Sequence, residues 1–160
     1  MIVKTEAIVL SAMKYRDTSK IVRLYTREFG RLSVLAKGAR ETKSRFRSSL
    51  EPLNHVLAIL YKKEHRELQL LSQCDVLTSF RHIAEDMDKL QAALSGVELV
   101  TLVAHEEERN EDLFDLLLSF LRAVNDATKN VKVALYYFEM KLTGLLGFQP
   151  ELDMCSQCGR

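Results

Sequence analysis

The hydrophobic period of this chain changes once, near residue 79, and that change limits what it can fold into. Before it, apolar residues come in short β-branched runs. After it, they recur at spacings of three and four. A pattern written for strands does not settle as a helix, nor the reverse, so the chain should hold a sheet followed by helices.

The strand half reads in five pieces. "TEAIVLSAM" and "SKIVRLYT" are separated by the turn-prone "KYRDT", and Gly30 in "REFGRL" makes a tight connection into "RLSVLAK". Residues 20–27 and 31–37 therefore predict a hairpin. Beyond Pro52, "LNHVLAILY" is a nearly continuous apolar run that suits a strand covered on both faces. In "RELQLLSQCDVL", Leu68, Leu70, Ser72, Cys74 and Val76 alternate with polar Gln69, Gln73 and Asp75, with Leu71 the exception. Five strands with one long loop between the third and fourth predict a small OB-type barrel, whose closure removes exposed sheet edges. Cys74 is expected as a small core residue.

The second half predicts helices. Residues 110–126 carry Leu113, Phe114, Leu117, Phe120, Leu121 and Val124 on one stripe, with Asn110 placed as the cap. Residues 131–146 place Ala134, Tyr137, Phe138, Leu142 and Leu145 on one face and stop at Gly147. Residues 82–106 form a third helical stretch, broken near Asp86–Asp88. Gly96 within it costs about 1 kcal/mol relative to Ala and calls for close packing of another backbone. The expected fold class is α+β: a barrel domain over 1–79, a helical domain over 80–149, and a short module over 150–160.

Charge divides at the same place. Residues 1–80 carry fifteen Lys and Arg against eight Asp and Glu, while 81–160 carry eight against fourteen, so the overall +1 conceals a basic half and an acidic half. Such asymmetry suggests that the basic half meets nucleic acid or a membrane surface, or that two domains simply differ in surface chemistry. No apolar run approaches the roughly 18 residues of a membrane span, and no signal peptide is evident, which predicts a cytoplasmic protein without membrane contact.

The densest basic stretch is "VLAKGARETKSRFRSSLEP". Lys37, Arg40, Lys43, Arg45 and Arg47 fall within eleven positions, opposed only by Glu41. On a flexible loop such cations can follow a phosphate backbone and release its counterions. Lys14, Arg16 and Lys20 add charge at the first turn, with Arg23, Arg27 and Arg31 further along the same half. Phe46 is either a stacking platform for a base or a plug in the core. The carboxylates of "HEEERNED" predict a solvated face. The closing "CSQCG" offers Cys155 and Cys158 as half of a tetrahedral zinc site or as a redox pair. No phosphate-cradling glycine loop or nucleophile elbow is present, so the chain does not read as an enzyme. Three function classes remain: a DNA-binding module, a scaffold docking an acidic partner tail, and an RNA-binding OB module.

The order of "EAIVL", "RDTSKIVRLYTREFGRLSVLAKGAR", "KSRF", "LEP" and "LTGLLGFQPELDMCSQCG" resembles the RecO family of recombination mediator proteins across essentially the whole chain. The resemblance implies binding to single- and double-stranded DNA and annealing of complementary strands. It also implies work with RecR and single-stranded DNA-binding protein to load RecA, in a bacterial, nucleoid-associated setting. Lys37, Arg40, Lys43 and Arg45 match the family's DNA-contacting loop. Cys155 and Cys158 match the first cysteine pair of its zinc module. The sequence lacks the second pair, so the resemblance implies a longer chain that is cut here and a zinc site that is only half present.

Overall fold

The computed structural model describes residues 1–46, 48–148, 154, 157 and 158. Five strands come first: β1 (Ile2–Tyr15), β2 (Ser19–Thr26), β3 (Gly30–Ala36), β4 (His55–Tyr61) and β5 (Leu68–Thr78). They close into a barrel in the order β1-β2-β3-β5-β4. The β3–β5 pair is parallel and short, while the other four pairs are antiparallel. This is the expected OB-type closure.

β1 serves both ends of the sheet. Its first half pairs with β4 and its second half with β2, and a bulge between Val9 and Ser11 lets it bend around the barrel. Val3, Ala7 and Val9 point into the barrel core, whereas Ile8 and Leu10 join a second core shared with the helices. The run "AIVL" is thus apolar throughout because both of its faces are covered.

The faces of β5 differ from the alternation read in its sequence. Gln69 and Leu71 face inward, and Leu68, Leu70 and Ser72 lie half-exposed on the outside. A bulge opposite Ile59 and Leu60 then shifts the phase, so that Cys74 is buried while Val76 is exposed. Leu71, the apparent exception, is the inward residue. Gln69 tolerates burial because its amide is fully used: Oε1 accepts from the Lys63 N–H at 2.8 Å, and Nε2 donates to the carbonyls of Lys63 and Arg66. Burial raises the Cys74 thiol to about 11, which leaves it an inert core group.

Four helices follow: α1 (Arg81–Ala84), α2 (Met87–Val103), α3 (Glu111–Asp126) and α4 (Val131–Leu145). The break falls at Asp86, whose carboxylate accepts from the N–H groups of Asp88 and Lys89 and starts α2. Asn110 caps α3 by accepting from the Leu113 N–H at 3.0 Å. After α4 the chain turns at Gly147, with φ +86°. At Gly96 it is the Phe120 ring, not a backbone, that occupies the space a Cβ would need. α4 buries only Phe138 and Leu142 fully; Tyr137 and Leu145, expected on its inner face, are exposed.

The two parts are tied by packing and by charge. Phe114 of α3 stacks near Tyr25, and Arg27 lies over its ring at 4.5 Å. Arg27 also pairs with Asp115 at 2.9 Å. The segment after α2 runs beside the start of β3, with mutual hydrogen bonds between Arg31 and the backbone of His105 and Glu107. Gly30, at φ +61°, allows this approach, because a Cβ there would strike the Glu108 backbone.

Candidate nucleic-acid interface

The described residues of the basic loop are held against the barrel by backbone hydrogen bonds and a buried ring. The loop leaves β3 at Ala36, turns at Gly38 with φ +69°, and closes with successive backbone hydrogen bonds from Glu41 to Gly38 and from Ser44 to Glu41. Phe46 then enters the barrel. Only 1% of its surface is exposed, and it shares the barrel core with Leu50, Val34 and Leu71. Of the two roles open to it, burial selects the core plug over the base-stacking platform, since a ring at that depth offers no face to a ligand. Asn54 finishes the loop by donating to the Ser48 carbonyl at 2.8 Å.

Anchored this way, the first half of the loop meets the β1–β2 turn. The Arg40 N–H donates to the Thr18 carbonyl at 2.9 Å, and its guanidinium donates to the carbonyls of Arg16 and Asp17. Lys14, Arg16, Lys20, Lys37, Arg40, Lys43 and Arg45 are thereby gathered on one rim of the barrel. All are exposed except the half-buried Lys20. Lys14 and Lys20 stand directly opposite each other across β1 and β2, a like-charge pairing that costs stability unless an anion lies between or beside them. Glu51 approaches Lys20 at 3.9 Å. Among the described residues, no carboxylate comes within 4.0 Å of Lys14, Arg16, Lys37, Lys43 or Arg45. Arg47 lies outside the described residues.

Other cations of the basic half are committed elsewhere. Arg27 binds Glu6 and Asp115, Arg31 binds the Thr101 carbonyl and Glu106, and Lys62 binds Glu107. The opposite charges of the two halves therefore meet in part at the junction between barrel and helices. Two of the carboxylates read as a solvated face, Glu106 and Glu107, are the acidic side of that junction. In the sequence these structural cations look the same as the free ones, because the difference depends on which strand end faces the helices. Lys63 and Arg66 in the β4–β5 loop are further exposed cations that no sequence motif singles out.

His55 sits at the same junction. Its Nε2 lies 3.0 Å from a Glu6 carboxylate oxygen, and its buried Nδ1 has no hydrogen-bond partner among the described residues. Burial lowers its pKa from the usual value against the opposing pull of Glu6. Tyr25 nearby is pushed up to about 12 by burial and by Glu108, and its hydroxyl donates to the Asn110 carbonyl.

No metal centre assembles among the described residues, which contain no group of three His, Cys, Asp or Glu able to hold an ion. Cys155 lies outside the described residues, and Cys158 is exposed with a free thiol. The pair would supply two donors where a structural zinc needs four, so the residues present do not fit a complete site. Nor is any helix among the described residues long and apolar enough to cross a membrane.

Comparison with known proteins agrees with this architecture. Residues 1–80 match the family described as recombination protein O N terminal, and residues 84–160 match recombination protein O C terminal. A DNA repair protein RecO from Chlorobium limicola is 36% identical over 99% of this chain and 61% of its own length. Its counterpart in Chlorobaculum parvum is 38% identical over 97% of this chain and 60% of that protein. The one in Syntrophus aciditrophicus is 35% identical over the same shares. The chain thus spans about three-fifths of the length of the curated relatives it matches.

Proposed function

This chain belongs to the RecO family, and from that premise we propose that it is the DNA-binding part of a non-catalytic mediator of recombinational repair. The observation that carries the reading is the rim where the β1–β2 turn and the basic loop meet. Six of its seven described cations have no carboxylate partner among the described residues, and two lysines face each other in register. A phosphate backbone relieves that repulsion and releases counterions as it binds. Contacts of this kind position DNA without reading its sequence, so both single and double strands should bind with little sequence preference.

A surface that holds two strands in turn through their backbones would favour annealing, because it neutralises the charge that keeps complementary strands apart. Cooperation with RecR, with single-stranded DNA-binding protein and with RecA belongs to the same proposal and rests on family membership. For a longer protein zinc belongs to the same proposal, with Cys155 and Cys158 supplying half of its four ligands.

Gel-shift titrations with a single strand and a matched duplex, each at two salt concentrations, test the proposal. Binding of both, weakening steeply with salt, is expected. A protein that used the rim only for an acidic protein tail would retard neither probe. Clear preference for a matched RNA strand over the DNA strand would show an RNA module instead.

A further inference from the structure

Phe46 is buried, so it offers no surface for bases at the rim. Such a surface runs around the outside of the barrel. Cross-strand pairing links Met13 to Ile21, Ile21 to Leu35, Leu35 to Leu70, Leu70 to Tyr61 and Tyr61 to Ile2. Their chain neighbours Val22, Val34, Leu71, Leu60 and Val3 fill the barrel core, so the six side chains of this belt point outward. Ile21, Leu35 and Leu70 are half-buried, while Met13, Tyr61 and Ile2 are 54%, 44% and 63% exposed.

Single apolar residues on an outer strand face are ordinary, but an unbroken file across all five strands is a patch that marks an interaction surface. At about 4.8 Å per strand the belt is about 24 Å long. The closing step reaches β1 eleven positions from where the path began, so the belt winds obliquely around the barrel. Outward-facing cations flank it on both sides: Arg23 stands two positions beyond Ile21, away from the rim, and Lys4 two positions from Ile2, toward it. A second copy of this chain would bring like-charged borders together. A single strand of nucleic acid would not, since its bases are apolar-faced and its phosphates anionic.

We propose that this belt is the base-contacting track for single-stranded DNA, with Tyr61 as its stacking residue and the flanking cations holding the backbone. The inference rests on the DNA-binding reading above and adds the device that separates single strands from duplex. In a duplex the bases are stacked inward, so only the cations engage it. A bare strand gains the belt as well.

The test compares wild type with Met13→Ala/Tyr61→Ala and with Tyr61→Phe, using an oligothymidine strand and a duplex of equal length at one salt concentration. Both replaced residues are exposed, and thermal melting confirms that the variants fold. The alanine variant should bind the single strand at least about 5-fold more weakly, the factor equivalent to losing one modest base stack. Its duplex affinity should stay within about twofold, and Tyr61→Phe should bind the single strand like wild type. Equal weakening on both probes, or none on either, overturns the belt while leaving the rim in place. Failure of wild type to bind either probe overturns the DNA-binding reading too. Should the double variant not fold, wild type photocrosslinked to a 5-iodouracil strand decides the matter. Adducts at Tyr61 or Met13 are expected, and adducts confined to other surfaces contradict the track.

Discussion

Emptying the space of Phe46 is the most direct probe of the basic loop at the scale of one residue. A ring buried among Leu50, Val34 and Leu71 leaves a cavity when cut back to alanine, at a cost of about 3–5 kcal/mol. Denaturant unfolding of Phe46→Ala should show that loss, whereas a stacking residue on the surface would cost almost nothing. Its sequence neighbours gave no hint of this, because an aromatic among five cations looks the same in either role. His55 makes a second prediction. Its Nε2–H donates to Glu6 and its Nδ1 is buried without a partner among the described residues, so protonation would create an unsatisfied donor. The folded-state pKa is lowered, so the unfolded chain takes up the proton first. Stability should be constant above the unfolded value of about 6.5 and should fall as pH drops below it. Melting curves between pH 5 and 8 should show this decline, and His55→Gln should flatten it; an equal slope in both proteins would exclude His55 as the cause.

Elements were legible where local chemistry sets them and ambiguous where a bulge or an incomplete covering decides which side chains are buried. The hairpin of β2 and β3, the cap at Asn110, the break at Asp86 and the turn at Gly147 all follow from local chemistry that tertiary contacts leave intact. The first half of β5 lies with its expected faces exchanged while Cys74 keeps its core place, because a bulge moves the phase midway, and a shift of one residue exchanges inside for outside. α4 shows the same limit in another form. Its apolar residues spread around the helix, and only Phe138 and Leu142 reach full burial. At the junction between elements, Gly30 combines a positive φ with the close approach of the Glu108 backbone. Gly30→Ala should therefore cost about 2 kcal/mol or more in unfolding experiments, from the left-handed conformation and the displaced strap together. A change within about 0.5 kcal/mol would mean that the strap is not held there.

Over the whole molecule, the charge division visible in the sequence has two uses that composition cannot separate. Arg27, Arg31 and Lys62 fasten the basic barrel to acidic residues beyond it. Lys14, Arg16, Lys37, Lys43 and Arg45 stay on the rim without such partners among the described residues, and DNA is the partner proposed for them. Arg40 is a poor probe of that claim because its guanidinium also clamps the β1–β2 turn. The decisive measurement is the salt dependence of duplex binding by Lys14→Gln/Lys37→Gln/Lys43→Gln/Arg45→Gln, compared with wild type. If each of these cations neutralises a phosphate, the slope of log affinity against log salt should flatten by about 0.9 for every phosphate left unneutralised, with weaker binding across unrelated sequences. An unchanged slope and affinity would contradict the assignment of the rim to DNA.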